Sequence, residues 1–165
     1  MFPLKKIICP TDFSDASRQA LDSAAELAER FQAEVCMVHV LPVQPRDLAP
    51  QVDAEDVRAA VEREMRSFAE PLSRKGIRIE VVLGEGDAAT EIVRIASDEH
   101  ADLIVIATHG TTGWRHLAFG SVTEKVVRLA ACPVLTIRAT AGQTMAASAS
   151  GSALEQTGKV SAKRE

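Results

Sequence analysis

Between Ala107 and Thr123 the chain reads Ala107-Thr108-His109-Gly110-Thr111-Thr112-Gly113-Trp114-Arg115-His116-Leu117-Ala118-Phe119-Gly120-Ser121-Val122-Thr123. This glycine-spaced run joins an apolar, strand-like segment to an amphipathic helix pattern. Gly110 lets the backbone approach a ligand closely or take a positive φ. Gly120 and Ser121 open a helix whose first N–H groups have no partner inside it. Where such donors coincide with the positive end of the helix dipole, an anion such as phosphate is stabilised. The hydroxyls of Ser121 and Thr123 would add donors. The same residues admit a second reading. Ser121-Val122-Thr123-Glu124 has the spacing of a capping box, in which Ser121 and Glu124 close the helix start on themselves. Two other phosphate signatures are missing from the sequence: no Lys-Ser/Thr pair follows the second glycine as in a P-loop, and three glycines do not open the first helix as in a dinucleotide fold.

Other residues of chemical interest are scattered. Asp12 lies just past the first strand-like run. It reads either as a carboxylate that accepts hydrogen bonds from a ligand or joins a metal site, or as the start of an Asp-Phe-Ser turn. His109 and His116 stand in the glycine loop, within reach of phosphate or general-acid positions. No base–nucleophile pairing accompanies them, so no catalytic residue is assigned. His39 falls inside an apolar run and reads as a core histidine, and His100 falls near a helix C-terminus, where it complements the dipole. Cys9, Cys36 and Cys132 form no close-spaced pair and no metal pattern, and read as reduced core thiols without structural zinc.

The elements that must position these residues alternate along the chain. Strands are predicted at 5–9, 34–41, 77–83, 102–107 and 133–138. Helices are predicted from the caps Ser14, Asp53 and Asp87 and from Gly120-Ser121. Apolar residues recur at helical spacing in each: Ala20, Ala24, Leu27 and Phe31 in the first, Val57, Val61, Phe68 and Leu72 in the second, Ala88, Ile92, Ile95 and Ala96 in the third, Val122, Val126 and Leu129 in the fourth. Pro71 should kink or end the second helix, and Gly84 and Gly86 should make the turn after the third strand. This strict alternation predicts an α/β fold, a five-stranded parallel sheet with helices on both faces. In such sheets ligands bind outside the carboxyl ends of the strands at the switch point. That rule selects Pro10-Thr11-Asp12, Val40-Leu41 and the stretch 108–121. Residues 139–165 are rich in Ala, Ser, Thr and Gly with few large apolar side chains, and a disordered tail is expected there. The domain is thus placed at 1–138.

Composition narrows the function classes. The chain has 165 residues, enough for one domain, with 46% hydrophobic and 25% charged residues, as in ordinary globular proteins. Lys+Arg 19 against Asp+Glu 23 gives a net charge of −4, which provides no electrostatic footprint for nucleic acid. No apolar run approaches the roughly 20 residues of a membrane span. With no signal-peptide layout and three unpaired thiols, a cytoplasmic protein is expected.

The residues Ile7-Ile8-Cys9-Pro10-Thr11-Asp12-Phe13-Ser14, Val38-His39-Val40, Ala107-Thr108-His109-Gly110, Gly120-Ser121-Val122-Thr123-Glu124-Lys125-Val126 and Cys132-Pro133-Val134-Leu135 occur in this order. Together they resemble the universal stress protein family over about residues 4 to 138. The resemblance implies a Rossmann-like, adenine-nucleotide-binding sheet and a homodimer paired through the fifth strand. The family's ATP-binding branch carries Gly, two residues, Gly, nine residues, then Gly-Ser/Thr. Here Gly110 and Gly120-Ser121 match, and Ala107 replaces the first glycine. By this resemblance Pro10, Thr11, Asp12 and Val40 would hold adenine and ribose. Ala107, His109, Gly110, Gly120, Ser121, Val122 and Thr123 would surround the phosphates, with Mg or Mn bound through the nucleotide. A positive φ at residue 107 would make alanine a poor substitute there.

Three functions compete on these grounds. The first is an ATP-binding regulatory module of the stress response, with at most slow hydrolysis. The second is a phosphoryl or adenylyl enzyme of the same broad fold. Related pyrophosphatase-type enzymes carry a Ser-Gly-Gly phosphate loop after the first strand, where this chain has Pro-Thr-Asp-Phe-Ser. The third is a dimeric interaction protein of the same family that binds no nucleotide, a reading that Ala107 supports. A flavin site is poorly supplied with aromatic residues, since the chain has one Trp and no Tyr.

Overall fold

The computed structural model describes residues 4–43, 53–108 and 120–138. His109, Gly110, Trp114, His116 and the expected tail lie outside the described residues. Nine elements follow in strict alternation: β1 (Lys6–Pro10), α1 (Asp15–Phe31), β2 (Glu34–Leu41), α2 (Ala54–Ser73), β3 (Ile79–Glu85), α3 (Ala88–Asp98), β4 (Leu103–Ala107), α4 (Ser121–Leu129) and β5 (Val134–Ile137). The strands form one parallel sheet in the order β3-β2-β1-β4-β5. The strand order reverses between β1 and β4, so their carboxyl ends flank the switch point.

Side chains alternate between two cores, as the period of two along a strand requires. Ile7, Cys9, Val35, Met37 and Val105 pack with α1 and α2 on one face. Ile8, Cys36, Val38, Ile104 and Ile106 pack with α3 and α4 on the other. Near-continuous apolar strands are therefore what a sheet covered on both faces needs. The α1 face toward the sheet is built mostly of small residues, Ala16, Ala20, Ala24, Ala25 and Ala28, which lets the helix lie close. Burial leaves the Cys9 and Cys36 thiols reluctant to ionise: desolvation first, then nearby carboxylates, pushes each up to about 12. Such thiols are packing groups and poor nucleophiles.

Three expectations are corrected. The third strand begins and ends two residues later than predicted, because Gly84 belongs to the strand, opposite Val40. A Cβ on Gly84 would lie 3.3 Å from Ile95 Cδ1 and 3.4 Å from Val40 Cγ2. Glycine there serves close packing of α3, and Gly86, at φ 138°, makes the turn. On α4, Val126 is fully buried but Val122 and Leu129 are 37% and 48% exposed, since this helix flanks an edge strand that covers only part of its apolar face. Phe31 and Val57, expected to face inward, are exposed for the same kind of reason, each near the free end of its helix. Pro71, expected to kink or end its helix, lies inside the last turn, and the helix runs on to Ser73. Among the described residues no helix is long and apolar enough to cross a membrane.

Candidate functional site

A cavity of about 280 Å³ opens at the carboxyl end of the sheet, across the switch point. This is close to the lower bound of roughly 300 Å³ for small-molecule pockets. Nine of the predicted residues line it: Pro10, Thr11, Asp12, Val40, Ala107, Gly120, Ser121, Val122 and Thr123.

The wall from β1 is held by local hydrogen bonds. Thr11 N donates to Val38 O at 2.8 Å and extends the parallel ladder by one rung. The chain then turns sharply at Phe13, whose φ is 64°, a region that a bulky residue enters only under constraint. The constraint is visible. Phe13 N donates to Thr11 Oγ1 at 3.0 Å, and Thr11 Oγ1 lies 3.1 Å from Ser17 Oγ. Asp12 Oδ1 accepts from Ser14 N at 3.1 Å and from Ser14 Oγ at 2.5 Å. Ser14 Oγ in turn accepts from Ser17 N and caps α1. Asp12 thus forms the turn and also lines the cavity.

His39 is a correction to the core reading. It is half-buried and lines the cavity, with Nδ1 2.8 Å from Thr11 O. A carbonyl oxygen only accepts, so Nδ1 carries the proton. The Phe13 ring stacks on the imidazole at 4.7 Å and meets Phe68 edge-on at 5.6 Å. The Arg18 guanidinium covers the Phe68 ring, 3.3 Å from its centroid, and donates to Phe68 O. This stack from α2 and α1 holds the strained turn in place. Ser17, Val38, Ala88, Ile92 and Ile106 also line the cavity and are not among the predicted site residues. Their signal was positional: strand ends and first helical turns at the carboxyl edge of the sheet.

The opposite wall is the start of α4. Its N-cap is Gly120, at φ −69° and ψ 156°, and no side chain caps it. Ser121 is the first helical residue rather than the cap, so the capping-box reading does not hold. The other three helices start under a side-chain cap from Ser14, Asp53 or Asp87. Gly120 N donates to Thr108 O at 2.7 Å, which fixes the helix start against the end of β4. Thr123 Oγ1 donates to Ala107 O at 2.7 Å, so this hydroxyl anchors α4 and its proton is engaged. Ala107 itself is a strand residue paired with Ile137, and it is not among the residues with positive φ. Its methyl packs in the α1-side core, and alanine stands there without strain. Among the described residues no group of three or more His, Cys, Asp or Glu side chains could hold a metal ion.

A doubly wound parallel sheet with a cavity at its switch point defines a Rossmann-like α/β domain. The sequence model of the Universal stress protein family matches residues 3–138, and the chain belongs to that family. It is 35% identical over 139 residues to Universal stress protein MJ0531 of Methanocaldococcus jannaschii, covering 81% of this chain and 82% of that protein. Among solved structures, that of MJ0577 from the same organism superposes with a TM-score of 0.74 at 28% identity, covering 86% of this chain and all of the other. The structure of a universal stress protein from Archaeoglobus fulgidus in complex with dAMP superposes with a TM-score of 0.60 at 29% identity, covering 82% and 98%.

Proposed function

We propose that the protein binds an adenine nucleotide, ATP foremost, at this cavity and acts as a nucleotide-dependent regulatory module of the stress response. One observation carries the reading: α4 alone among the described helices lacks a side-chain cap, and its start lines the cavity. The glycine at that start is not required by the backbone, because its φ and ψ are open to any residue. A Cβ there would meet only Thr108 O, at 3.4 Å. Glycine at an unconstrained position beside first-turn amides that have no partner inside the helix suits the close approach of an anion. The dAMP complex of the Archaeoglobus relative supports an adenine nucleotide as the ligand.

In this reading the amides of Ser121, Val122 and Thr123 hold the phosphates. Pro10, Thr11, Asp12 and Val40 surround adenine and ribose, and His109 and Gly110 complete the phosphate loop. Mg or Mn enters through the phosphates rather than through a protein cage. Hydrolysis is at most slow in this reading, which assigns no catalytic residue. Free thiols at all three cysteines are in keeping with a reducing cytoplasm. Titration with MgATP tests the reading. Saturable heat at micromolar ATP is expected, with a parallel change in the fluorescence of Trp114, the sole tryptophan. Absence of both would leave the nucleotide-free interaction protein as the better account.

We also propose a homodimer through β5. This edge strand and α4 expose Leu135, Val127 and Leu129 at 40%, 47% and 48%. A parallel or antiparallel partner strand would satisfy the open edge and cover these side chains. Leu135→Glu is expected to give a monomer by sedimentation at micromolar concentration with an unchanged circular dichroism spectrum. An unaltered dimer would place the interface elsewhere.

A further inference from the structure

We propose that Lys125 is a specificity-determining residue of this site, moving from a carboxylate on α3 to the distal phosphates of a bound nucleotide and so selecting triphosphate over adenosine. The inference rests on the nucleotide reading above and assigns a side chain to it that lies outside the cavity lining. Among the described lining residues there is no lysine or arginine, and Asp12 adds negative charge. A strongly charged ligand there would gain from a cation that reaches in from the rim.

Lys125 is placed to do so. It stands four residues after Ser121 on α4, hence on the same face, and helical side chains lean toward the N-terminus. Its aliphatic stem therefore runs back toward the turn that lines the cavity. Its length is already turned toward the opposite rim: Nζ sits 2.6 Å from Asp87 Oδ1 and 3.3 Å from Thr90 Oγ1. Asp87 is the N-cap of α3, and the next residue, Ala88, lines the cavity. The pair thus spans the mouth from α4 to α3. Asp87 does not depend on the lysine to stay in place, because Oδ1 also accepts from Thr90 N at 3.0 Å and Thr90 Oγ1 at 2.6 Å. The carboxyl is held down at about 2, mainly by the Lys125 bond and then by Thr90, so it is ionised at any physiological pH. Both partners are substantially exposed, at 38% and 60%. Exposed pairs of this kind are weak. A polyphosphate carries more charge than one carboxylate and offers more acceptors, so exchange of the lysine from Asp87 to phosphate is favoured.

Calorimetric titration of the full chain with MgATP, AMP and adenosine tests this. Lys125→Gln is expected to weaken ATP about five- to tenfold, the size of one partly exposed charge-assisted hydrogen bond, to weaken AMP less and to leave adenosine unchanged. Lys125→Arg should retain most ATP affinity. Asp87→Asn keeps a good cap and frees the lysine, so ATP binding should tighten about two- to threefold, by loss of the competing charge. Equal losses for ATP and adenosine in Lys125→Gln would show a helix clamp only and overturn the proposal. So would unchanged ATP affinity. Wild-type protein that takes up no ATP at all would instead overturn the nucleotide reading on which the proposal stands.

Discussion

Gly120→Val is expected to abolish measurable ATP binding while the protein stays folded. Gly120 is the uncapped start of α4 and lines the cavity. Its φ of −69° and ψ of 156° lie in the extended region that valine prefers. A Cβ meets Thr108 O at 3.4 Å, an ordinary contact. The fold therefore accepts the substitution at the cost of a weaker helix start, since valine is a poor N-cap. The branched side chain would stand where the phosphates must approach the amides of Ser121, Val122 and Thr123. Losing even one or two charge-assisted hydrogen bonds removes roughly 3 kcal/mol, or about a hundredfold in affinity. Calorimetry with ATP, alongside thermal unfolding followed by circular dichroism, reads both parts. Normal affinity in a folded variant would move the phosphate site away from α4.

Ile8→Ala is expected to do the reverse, lowering stability by about 2–5 kcal/mol, as large-to-small changes in closed cores do. Ile8 is completely buried on the central strand, flanked in register by Cys36 on β2 and Ile104 on β4. Its side chain belongs to the core beneath α3 and α4. Both neighbours are held by the ladder, so the void cannot close by simple collapse. For a chain of this size each kcal/mol moves the melting temperature by about 2–4 °C, so a fall of about 4–20 °C is expected. Ile8 does not line the cavity, and ATP affinity well below the new melting temperature should change little. A shift of under 1 kcal/mol would mean that this core is looser than described. The two variants separate binding from stability, which neither does alone.

Much of this architecture was legible in the residues because its signals are local. The caps Ser14, Asp53 and Asp87 each accept a hydrogen bond at the helix start they announce. Strand β2 runs over Glu34–Leu41 as its apolar, β-branched composition suggests. Local signals failed where the deciding contact comes from elsewhere. Gly84 looks like a turn residue until α3 is seen to press on it through Ile95. Ser121 looks like a cap, and only the backbone angles show that Gly120 is the cap and Ser121 the first helical residue. The inward faces of α4 were overread because amphipathic spacing does not say how much sheet is available to cover them, and β5 has four residues at an edge. The place of His39 depends on Thr11 and Phe13, which are 28 and 26 positions away by simple subtraction and meet it only through the sheet. For the site, the switch-point rule gathered strand ends that line the cavity, while Ser17, Ala88 and Ile92 join them from helix starts that carry no chemical signature.

The central claim is that main-chain amides at the start of α4 form the cradle for a nucleotide's phosphates. A crystal structure of the full chain grown with excess MgATP tests it most directly. The account predicts the triphosphate within hydrogen-bond distance of the Ser121, Val122 and Thr123 amides, with adenine between Thr11, Asp12 and Val40. Phosphates bound at another surface, or this cavity filled by the protein's own side chains at saturating ATP, would contradict it.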